Sequence, residues 1–415
     1  MNNSILTKRH TCRLCDDPRV NNVFKLKSTP PANAFRKKKD IQKKQIKYPL
    51  NLLLCEHCGH TQLQEILDPK TLFENYVYVS GTSMSFVRHF EKYANQVISK
   101  YRLKRNSLIV EIGSNDGTLL RFFKNKKNRV IGVDPAKSIA KIANQNGIET
   151  IPAFFNDKIS KKILNQEGFA SIIIANNVYA HVDDLKSLTI SIRDLLHKNG
   201  VFIFEVSYLV DVYKKTLFDT IYHEHLSYHT VKPLINFFQS LDMVLFDVER
   251  IDTHGGSIRC HVQKDIGTKK MKKSVQNILQ IEKKSKIFRP TTFHKLSKSI
   301  EYLRNDLNTL IKNIRRKGLK IAGFGAPAKA TTLMHHFNIK LQDIEYIVDD
   351  SPLKQGLYTP GYNIPVVSSK QLTKEPVDFL LILAWNFSNS IIEKHKDFSR
   401  DGGKFIVPLP ELKVI

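Results

Sequence analysis

Apolar positions in this chain cluster into short runs, each closed by a glycine or polar turn and followed by an amphipathic stretch. The clearest is 108–118, Leu-Ile-Val-Glu-Ile-Gly-Ser-Asn-Asp-Gly-Thr. Apolar-leaning positions run into Gly113, Gly117 follows Asn115 and Asp116, and an amphipathic stretch opens at 119–123. That order predicts a buried strand, a tight turn and a helix start. Further strands are predicted at 128–133, 170–175 and 201–205, with a strand-like run at 257–262. A helical, lysine-rich stretch at 269–316 then leads into a second βα unit, Leu319-Lys-Ile-Ala-Gly323-Phe-Gly325-Ala-Pro-Ala-Lys329-Ala330. Strands at 344–348, 379–383 and 404–407 complete the pattern, and no short-period repeat is visible. Alternating strands and helices predict an α/β fold whose ligand sits where glycines let it approach the carboxyl end of a strand.

The turn Glu111-Ile-Gly113-Ser-Asn115-Asp-Gly117 is not the dinucleotide pattern G-x-G-x-x-G. It resembles the first motif of class I S-adenosylmethionine (SAM) methyltransferases, E/D-x-G-x-x-x-G. Asp134 closes the second strand, at the spacing where a carboxylate accepts both ribose hydroxyl protons. A carboxylate would repel a phosphate, so adenosine without a nearby phosphate fits better than a phosphorylated dinucleotide. The third strand ends in Asn176-Asn177-Val178. SAM is therefore the expected cofactor, held by Glu111, Gly113, Asn115, Gly117, Asp134, Asn176 and Asn177.

At 415 residues the chain has room for two to three domains with real cores. No apolar run is long enough to span a bilayer and 1–14 has no signal-peptide core, so a cytoplasmic protein is expected. The net charge of +26 comes largely from lysine clusters at 36–47, 124–129 and 269–286, with little aromatic interleaving. Such clusters would suit nucleic acid phosphates. Without interleaved aromatics they read as solvated faces, with some attraction for a polyanionic small substrate. Four of the five cysteines form two knuckles, Cys12-Arg-Leu-Cys15 and Cys55-Glu-His-Cys58. Two C-x-x-C pairs supply four thiolates to one tetrahedral zinc, a closed and hence structural site. Disulfides are not expected in a cytoplasmic setting. His57 and His60 lie beside a site the thiolates already fill, and Cys260 reads as a packed core thiol.

Acid/base candidates follow. The segment 73–83 alternates as a short extended piece carrying Tyr76 and Tyr78, entering a helix near 83–90. Its Tyr/Ser/Thr groups are either packed or placed to cover the cofactor pocket. His181, in Tyr179-Ala-His181-Val-Asp183, falls just past a strand end, either facing the ligand or capping the next helix. Ile221-Tyr222-His223-Glu224-His225-Leu-Ser-Tyr228-His229 concentrates titratable groups that make a poor core segment. It is not a zinc-protease helix, since Ser227 stands where H-E-x-x-H needs histidine, and His225 with His229 lacks an evident third ligand. A histidine can take a proton from a carbon beside a ketone while a tyrosine or second histidine donates to the oxygen that gains charge. Glu224 would orient an imidazole. Thr253-His254-Gly255-Gly256-Ser257 is a hairpin corner or a backbone donor site. Lys329, at a predicted helix start over 326–330, is placed to hold a pyrophosphate unless this half is a ligand-free scaffold.

With these motifs in order, the chain resembles the deoxysugar C-methyltransferases, SAM-dependent enzymes that methylate a carbon of nucleotide-linked 4-keto-6-deoxysugars. The resemblance spans nearly the whole sequence. It includes the knuckles, the 76–83 segment, E-x-G-S-N-D-G, Asn177 with His181, Tyr222-His-Glu-His225 and T-H-G-G-S. It continues through G-F-G-A-P-A-K, Val348-Asp349-Asp350-Ser-Pro, Lys354-Gln-Gly356, Tyr358-Thr-Pro-Gly361 and Ala384-Trp385-Asn386. Relatives usually follow A-K with Gly-Asn, where this chain has Ala330-Thr331 beside the phosphate turn.

The resemblance implies a class I SAM methyltransferase Rossmann-like domain (76–250). It would be flanked by a small N-terminal zinc-ribbon module (1–75) and a second Rossmann-like domain binding the sugar nucleotide (251–415). It implies that His225 removes the substrate proton, that Tyr76, His181, Tyr222 and Glu224 line the pocket, and that zinc is structural. Tyr78, Ser83, His254, Gly255 and Lys329 are the expected substrate contacts. The expected reaction is methylation of a dTDP- or GDP-linked 4-keto-6-deoxyhexose, at C3 through an enolate, by a monomer or weak oligomer without nucleic acid or membrane partners. A zinc-ribbon RNA methyltransferase is the main alternative, suggested by ribbon and charge but lacking a recognisable RNA-binding module. An oxidoreductase using the glycines after Ala322 would leave the SAM-like half idle. A pure binding protein would not need Tyr222, Glu224 and His225 beside a SAM loop.

Overall fold

The computed structural model describes residues 5–74, Gly81 and 84–415, with the backbone alone at 84–86 and 254. A seven-stranded sheet lies at the centre. Its strands are β1 (Leu108–Ile112), β2 (Arg129–Val133), β3 (Thr150–Ile151), β4 (Ala170–Asn176), β5 (Leu196–Ser207), β6 (Met243–Ile251) and β7 (Ser257–Lys264). Their spatial order is β3-β2-β1-β4-β5-β7-β6. The first five are parallel, and β7 runs antiparallel between β5 and β6. A dinucleotide-binding sheet has the order 3-2-1-4-5-6. The inserted antiparallel β7 makes this the class I SAM methyltransferase sheet, as the turn after β1 indicated.

The parallel strands are buried on both faces, so they read as apolar runs rather than alternations; every residue of β1 is buried. The helix after the glycine turn, Thr118–Asn125, buries Thr118, Leu119, Leu120 and Phe123 on one side. Asn156 caps helix Asp157–Glu167 by accepting from the Ile159 N–H. Asp184 does the same for helix Leu185–Leu195 through the Ser187 N–H. Because β1 pairs with β2 on one side and β4 on the other, the chain reverses direction of build beside β1, which opens a crevice at the strands' carboxyl ends.

Several elements run longer or shorter than the pattern suggested. The stretch predicted at 201–205 is the centre of the twelve-residue β5. The helix predicted near 83–90 continues as Met84–Tyr101. The strand-like run at 257–262 is β7, so the central sheet extends past residue 250. Cys260 is fully buried there, as a packed thiol should be.

The amino-terminal module is a four-stranded sheet ordered Ser227–Tyr228, Thr61–Leu63, Tyr48–Cys55, Val20–Thr29. Its first strand is contributed by the methyltransferase chain segment just after His225. Helices Lys273–Ser285 and Pro290–Arg316 lead to a six-stranded sheet built around Ile321–Phe324, with Ile347–Val348 on one side and Phe379–Ile382 then Lys404–Val407 on the other. No helix among the described residues is long and apolar enough to cross a membrane.

Candidate active site

The glycine turn shows why its residue types are needed. Gly113 has φ +68°, and a Cβ there would overlap Val178 Cγ2. Gly117 has φ +75°, and a Cβ would sit 2.8 Å from Ile148 Cγ2. Asn115 and Asn177 also adopt positive φ, +52° and +55°, a conformation asparagine tolerates better than most residues. The Asp134 carboxylate accepts the Asn115 N–H at Oδ2 and the Ala136 N–H at Oδ1, both at 2.9 Å. One lone pair remains on each oxygen for further donors. Burial raises the Asp134 pKa while these N–H groups oppose the rise.

Two neighbours are left with unspent hydrogen-bonding capacity. Glu111 is buried, its Oε2 has no partner among the described residues, and desolvation with the nearby Asp116 and Asp134 charges pushes its pKa well up. Both polar atoms of the Asn176 side chain are buried without a partner among the described residues. A cation bound beside Glu111 would return it to its charged form, and the Asn176 carboxamide and the Asp134 lone pairs favour hydroxyl and amine donors. These groups fit SAM, whose ammonium, sulfonium and ribose diol supply those complements.

Glu111, Gly113, Asn115, Asp134, Asn176 and Asn177 wall one cavity of about 630 Å3, as do His181, Tyr222 and His225, whereas Gly117 is not in its wall. His225 Nδ1 lies 2.7 Å from the Thr220 carbonyl oxygen. A carbonyl only accepts, so Nδ1 carries the proton and Nε2 keeps its lone pair. The Tyr222 hydroxyl, 3.0 Å away, donates to that Nε2. The His181 ring stacks between its neighbours, 5.1 Å from His225 and 5.5 Å from Phe73. Tyr222 is held neutral: burial raises its pKa well above 10. His223 turns away to Pro49 O at 3.1 Å, and burial lowers it to about 4.

Glu224 is buried and accepts from Asn33 Nδ2 at 2.8 Å, and Asn33 itself stands in the cavity wall. Asn33, Thr220 and Phe73 thus belong to the site although no motif marks them. The first lies 191 positions from its partner, and the Thr220 contact is a main-chain carbonyl that any residue could provide.

The carboxyl-terminal domain closes the same cavity with Pro327, Lys329 and Lys354. Lys329 is the second residue of helix Ala328–Phe337, and its Nζ lies 3.8 Å from the Trp385 ring centroid. Trp385 Nε1 donates to Asp219 Oδ2 at 2.6 Å. Burial pulls the Lys329 ammonium down to about 8, against the charge of Asp219. Gly255, in the short turn Thr253–Gly255, borders a second depression that meets the main cavity at Asn386 and Phe387. Tyr76, Tyr78 and Ser83 lie outside the described residues, as does the His254 side chain.

The four knuckle sulfurs lie within 4.8 Å of one another. Cys12 Sγ is 3.5 Å from Cys58 Sγ, and Cys15 Sγ is 3.6 Å from Cys55 Sγ. Zinc–sulfur bonds of about 2.3 Å give tetrahedral edges of about 3.8 Å, so the cluster fits zinc. His60 is not among the ligands: its Nε2 faces Ser227 Oγ at 3.2 Å. A second acidic group, Asp247, Glu249 and His261, already surrounds Lys100 Nζ, 2.7 Å from Asp247 Oδ2, and is an ion-pair centre.

Comparison with known proteins finds three family matches along the chain. Residues 12–73 match a zinc binding domain family, 86–245 a methyltransferase domain family, and 252–410 the C-methyltransferase C-terminal domain family. The C-methyltransferase NovU of Streptomyces niveus is 33% identical over 404 residues, 97% of this chain and 96% of that one. Among solved structures, the magnesium protoporphyrin IX methyltransferase of Synechocystis PCC 6803 is 9% identical, covering 43% of this chain and 79% of that one at a TM-score of 0.33. A SAM-dependent methyltransferase of Clostridium acetobutylicum is 13% identical, covering 44% and 92% at 0.35. Likenesses that distant do not bear on function. The full-length relative and the three domain families do: the chain belongs to the C-methyltransferase family, as a SAM-dependent enzyme with a structural zinc module.

Proposed function

We propose that this enzyme methylates a carbon next to the ketone of a nucleotide-linked 4-keto-6-deoxyhexose, at C3, with His225 as the base. The observation that carries this reading is the tautomer of His225. Thr220 O holds the proton on Nδ1, so Nε2, to which the Tyr222 hydroxyl donates, keeps a basic lone pair on a residue of the cavity wall that also carries the SAM-side groups. Such a lone pair is what a carbon acid requires, whereas an O- or N-methyltransferase needs little more than positioning.

In this reading His225 Nε2 takes the C3 proton, and the electron pair of the C–H bond moves into an enolate with its charge on O4. Tyr222, which donates to Nε2 in this structure, rotates its hydroxyl hydrogen toward that oxygen, and His181 stands within ring contact of the same imidazole. Asn33 carries the Glu224 carboxylate's influence to the cavity wall. Glu111, Asn176 and Asp134 would hold SAM, whose sulfonium would supply an electrophilic methyl group: the enolate C3 would form the new carbon–carbon bond as the sulfur–methyl bond breaks to a neutral thioether. The proton remains on His225 until solvent removes it.

Lys329 at a helix amino terminus, with Lys354 nearby, suits the diphosphate of a dTDP- or GDP-linked sugar. One chain supplies every wall group named, so a monomer suffices, and a small anionic substrate made in the cytoplasm accounts for the chemistry without nucleic acid.

The test is proton exchange. The enzyme is incubated in heavy water with a panel of dTDP- and GDP-linked 4-keto-6-deoxyhexoses, with and without SAM, and the sugar is read by mass spectrometry. Deuterium uptake beside the ketone, converted to a methyl adduct when SAM is present, is expected. His225→Gln should abolish both, a loss of at least about 100-fold, while SAM binding by calorimetry persists. A panel without exchange from SAM-binding enzyme would discard the sugar reading in favour of another acceptor, RNA included.

A further inference from the structure

The segment between the first two zinc ligands reaches the histidine pair. We infer that Arg13, inside the Cys12–Cys15 knuckle, is a positioning residue that sets His181 and His225 against each other. This inference rests on the proposed roles of those two histidines.

Arg13 is 2% exposed, and its guanidinium is bonded in three directions. Nε donates to Asp183 Oδ1 at 2.8 Å, two residues beyond His181. Nη1 donates to Leu226 O at 3.0 Å, one residue beyond His225, and to Leu63 O at 2.6 Å. Its own N–H is fixed by Gln62 Oε1 at 2.8 Å. The two histidine segments are also joined directly, because Ala180 O accepts from the Leu226 and Ser227 N–H groups at 2.8 and 3.1 Å. The strand Ser227–Tyr228 then pairs with Thr61–Leu63 in the zinc module's sheet. One rigid fork therefore spans the last residue of each histidine loop from a knuckle that zinc holds closed.

A packing role would not call for this residue. An apolar side chain would fill the space without burying a charge, and Arg13 Nη2 is buried with no acceptor among the described residues. What a guanidinium adds is planar, directional bonding to two separate segments at once. Ring stacking at 5.1 Å leaves little tolerance in how His181 meets His225.

The experiment reads the imidazoles directly. Full-length, zinc-loaded enzyme with 15N-labelled histidine is compared with Arg13→Met, Arg13→Lys and Asp183→Asn, and His225→Gln and His181→Gln assign the two side-chain signals. Arg13→Met is expected to keep its zinc and shift or broaden both signals, while those of His335 and His336, in the carboxyl-terminal domain, stay put. Arg13→Lys should recover part of the wild-type spectrum. On an accepted substrate, kcat should fall about 100-fold with KM within threefold, as expected for misplaced rather than missing groups.

Zinc-loaded Arg13→Met with unchanged His181 and His225 signals would overturn the inference. If Arg13→Met loses zinc, Asp183→Asn decides, since it leaves the knuckle intact; an unmoved His181 signal in that variant overturns the inference equally. The spectra need no acceptor, so failure of the sugar reading and failure of the Arg13 role give different results.

Discussion

At the scale of single residues, this site divides into positions whose chemistry is local and positions whose chemistry is borrowed. Gly113 is of the first kind. Its φ of +68° and the close approach of Val178 exclude a side chain, and a glycine after a buried strand announces both. Gly113→Ala is expected to weaken SAM binding by at least about tenfold, since left-handed strain alone costs about 1–2 kcal/mol and Val178 must also move. Gly168→Ala is the control. It has φ +82° but nothing within 4 Å of a Cβ, so it should lower stability modestly and leave SAM affinity alone by calorimetry. The borrowed kind includes His225, whose tautomer is set by a main-chain carbonyl, and Glu224, whose route to the cavity is Asn33. The Tyr222–His225 dyad could be read from the motif, but its geometry could not.

At the scale of elements, apolar runs and glycine turns made β1, β2, β4 and the carboxyl-terminal βα unit legible, because a strand buried on both faces leaves a strong local pattern. The strand Ser227–Tyr228 left none. Two residues carry no periodicity, and their partner is the zinc module's Thr61–Leu63. Through that pairing, loss of zinc is expected to reach the segment after His225 as well as the fold of the module. Removing zinc, by chelation or Cys55→Ser, is expected to melt the four-stranded amino-terminal sheet and abolish methyl transfer. The central sheet shares no strand with that module and should still bind SAM. Zinc stoichiometry, SAM calorimetry and turnover on the same sample would show this. A zinc-free chain with full turnover would contradict it. Structural zinc contributes up to about 10–16 kcal/mol in small zinc domains, enough to govern a module of this size.

At the scale of the molecule, three units close on one cavity, and much polar chemistry is buried where they meet. His223 and His229 lie behind the proposed base, and His335 and His336 lie in helix Ala328–Phe337; burial lowers each to about 4. His223 is held by Pro49 O and His335 by Pro360 O, both neutral partners. An unfolded histidine titrates near about 6.5. Between about 6.5 and 4 the unfolded chain therefore binds more protons than the folded one, and stability falls as pH falls through that window. Melting temperature measured across it, with zinc content followed in parallel, should drop steeply. His336→Gln should make the drop shallower, and a flat profile would refute the assignment.

By itself the sequence determined the class of the fold, the SAM turn, the four zinc ligands and the inventory of acid/base groups. Each of these is written in neighbouring residues: a period of burial, a glycine that must lack a side chain, two thiolates on one short turn. Only the tertiary structure decided which groups meet. It placed β7 between β5 and β6, tied His223 to Pro49 O while setting His225 against Tyr222 and Thr220, and stacked Lys329 on Trp385. It also carried Arg13 from the knuckle to the histidine loops. These contacts join segments far apart in the chain, and long-range packing leaves no mark in the spacing of adjacent residues.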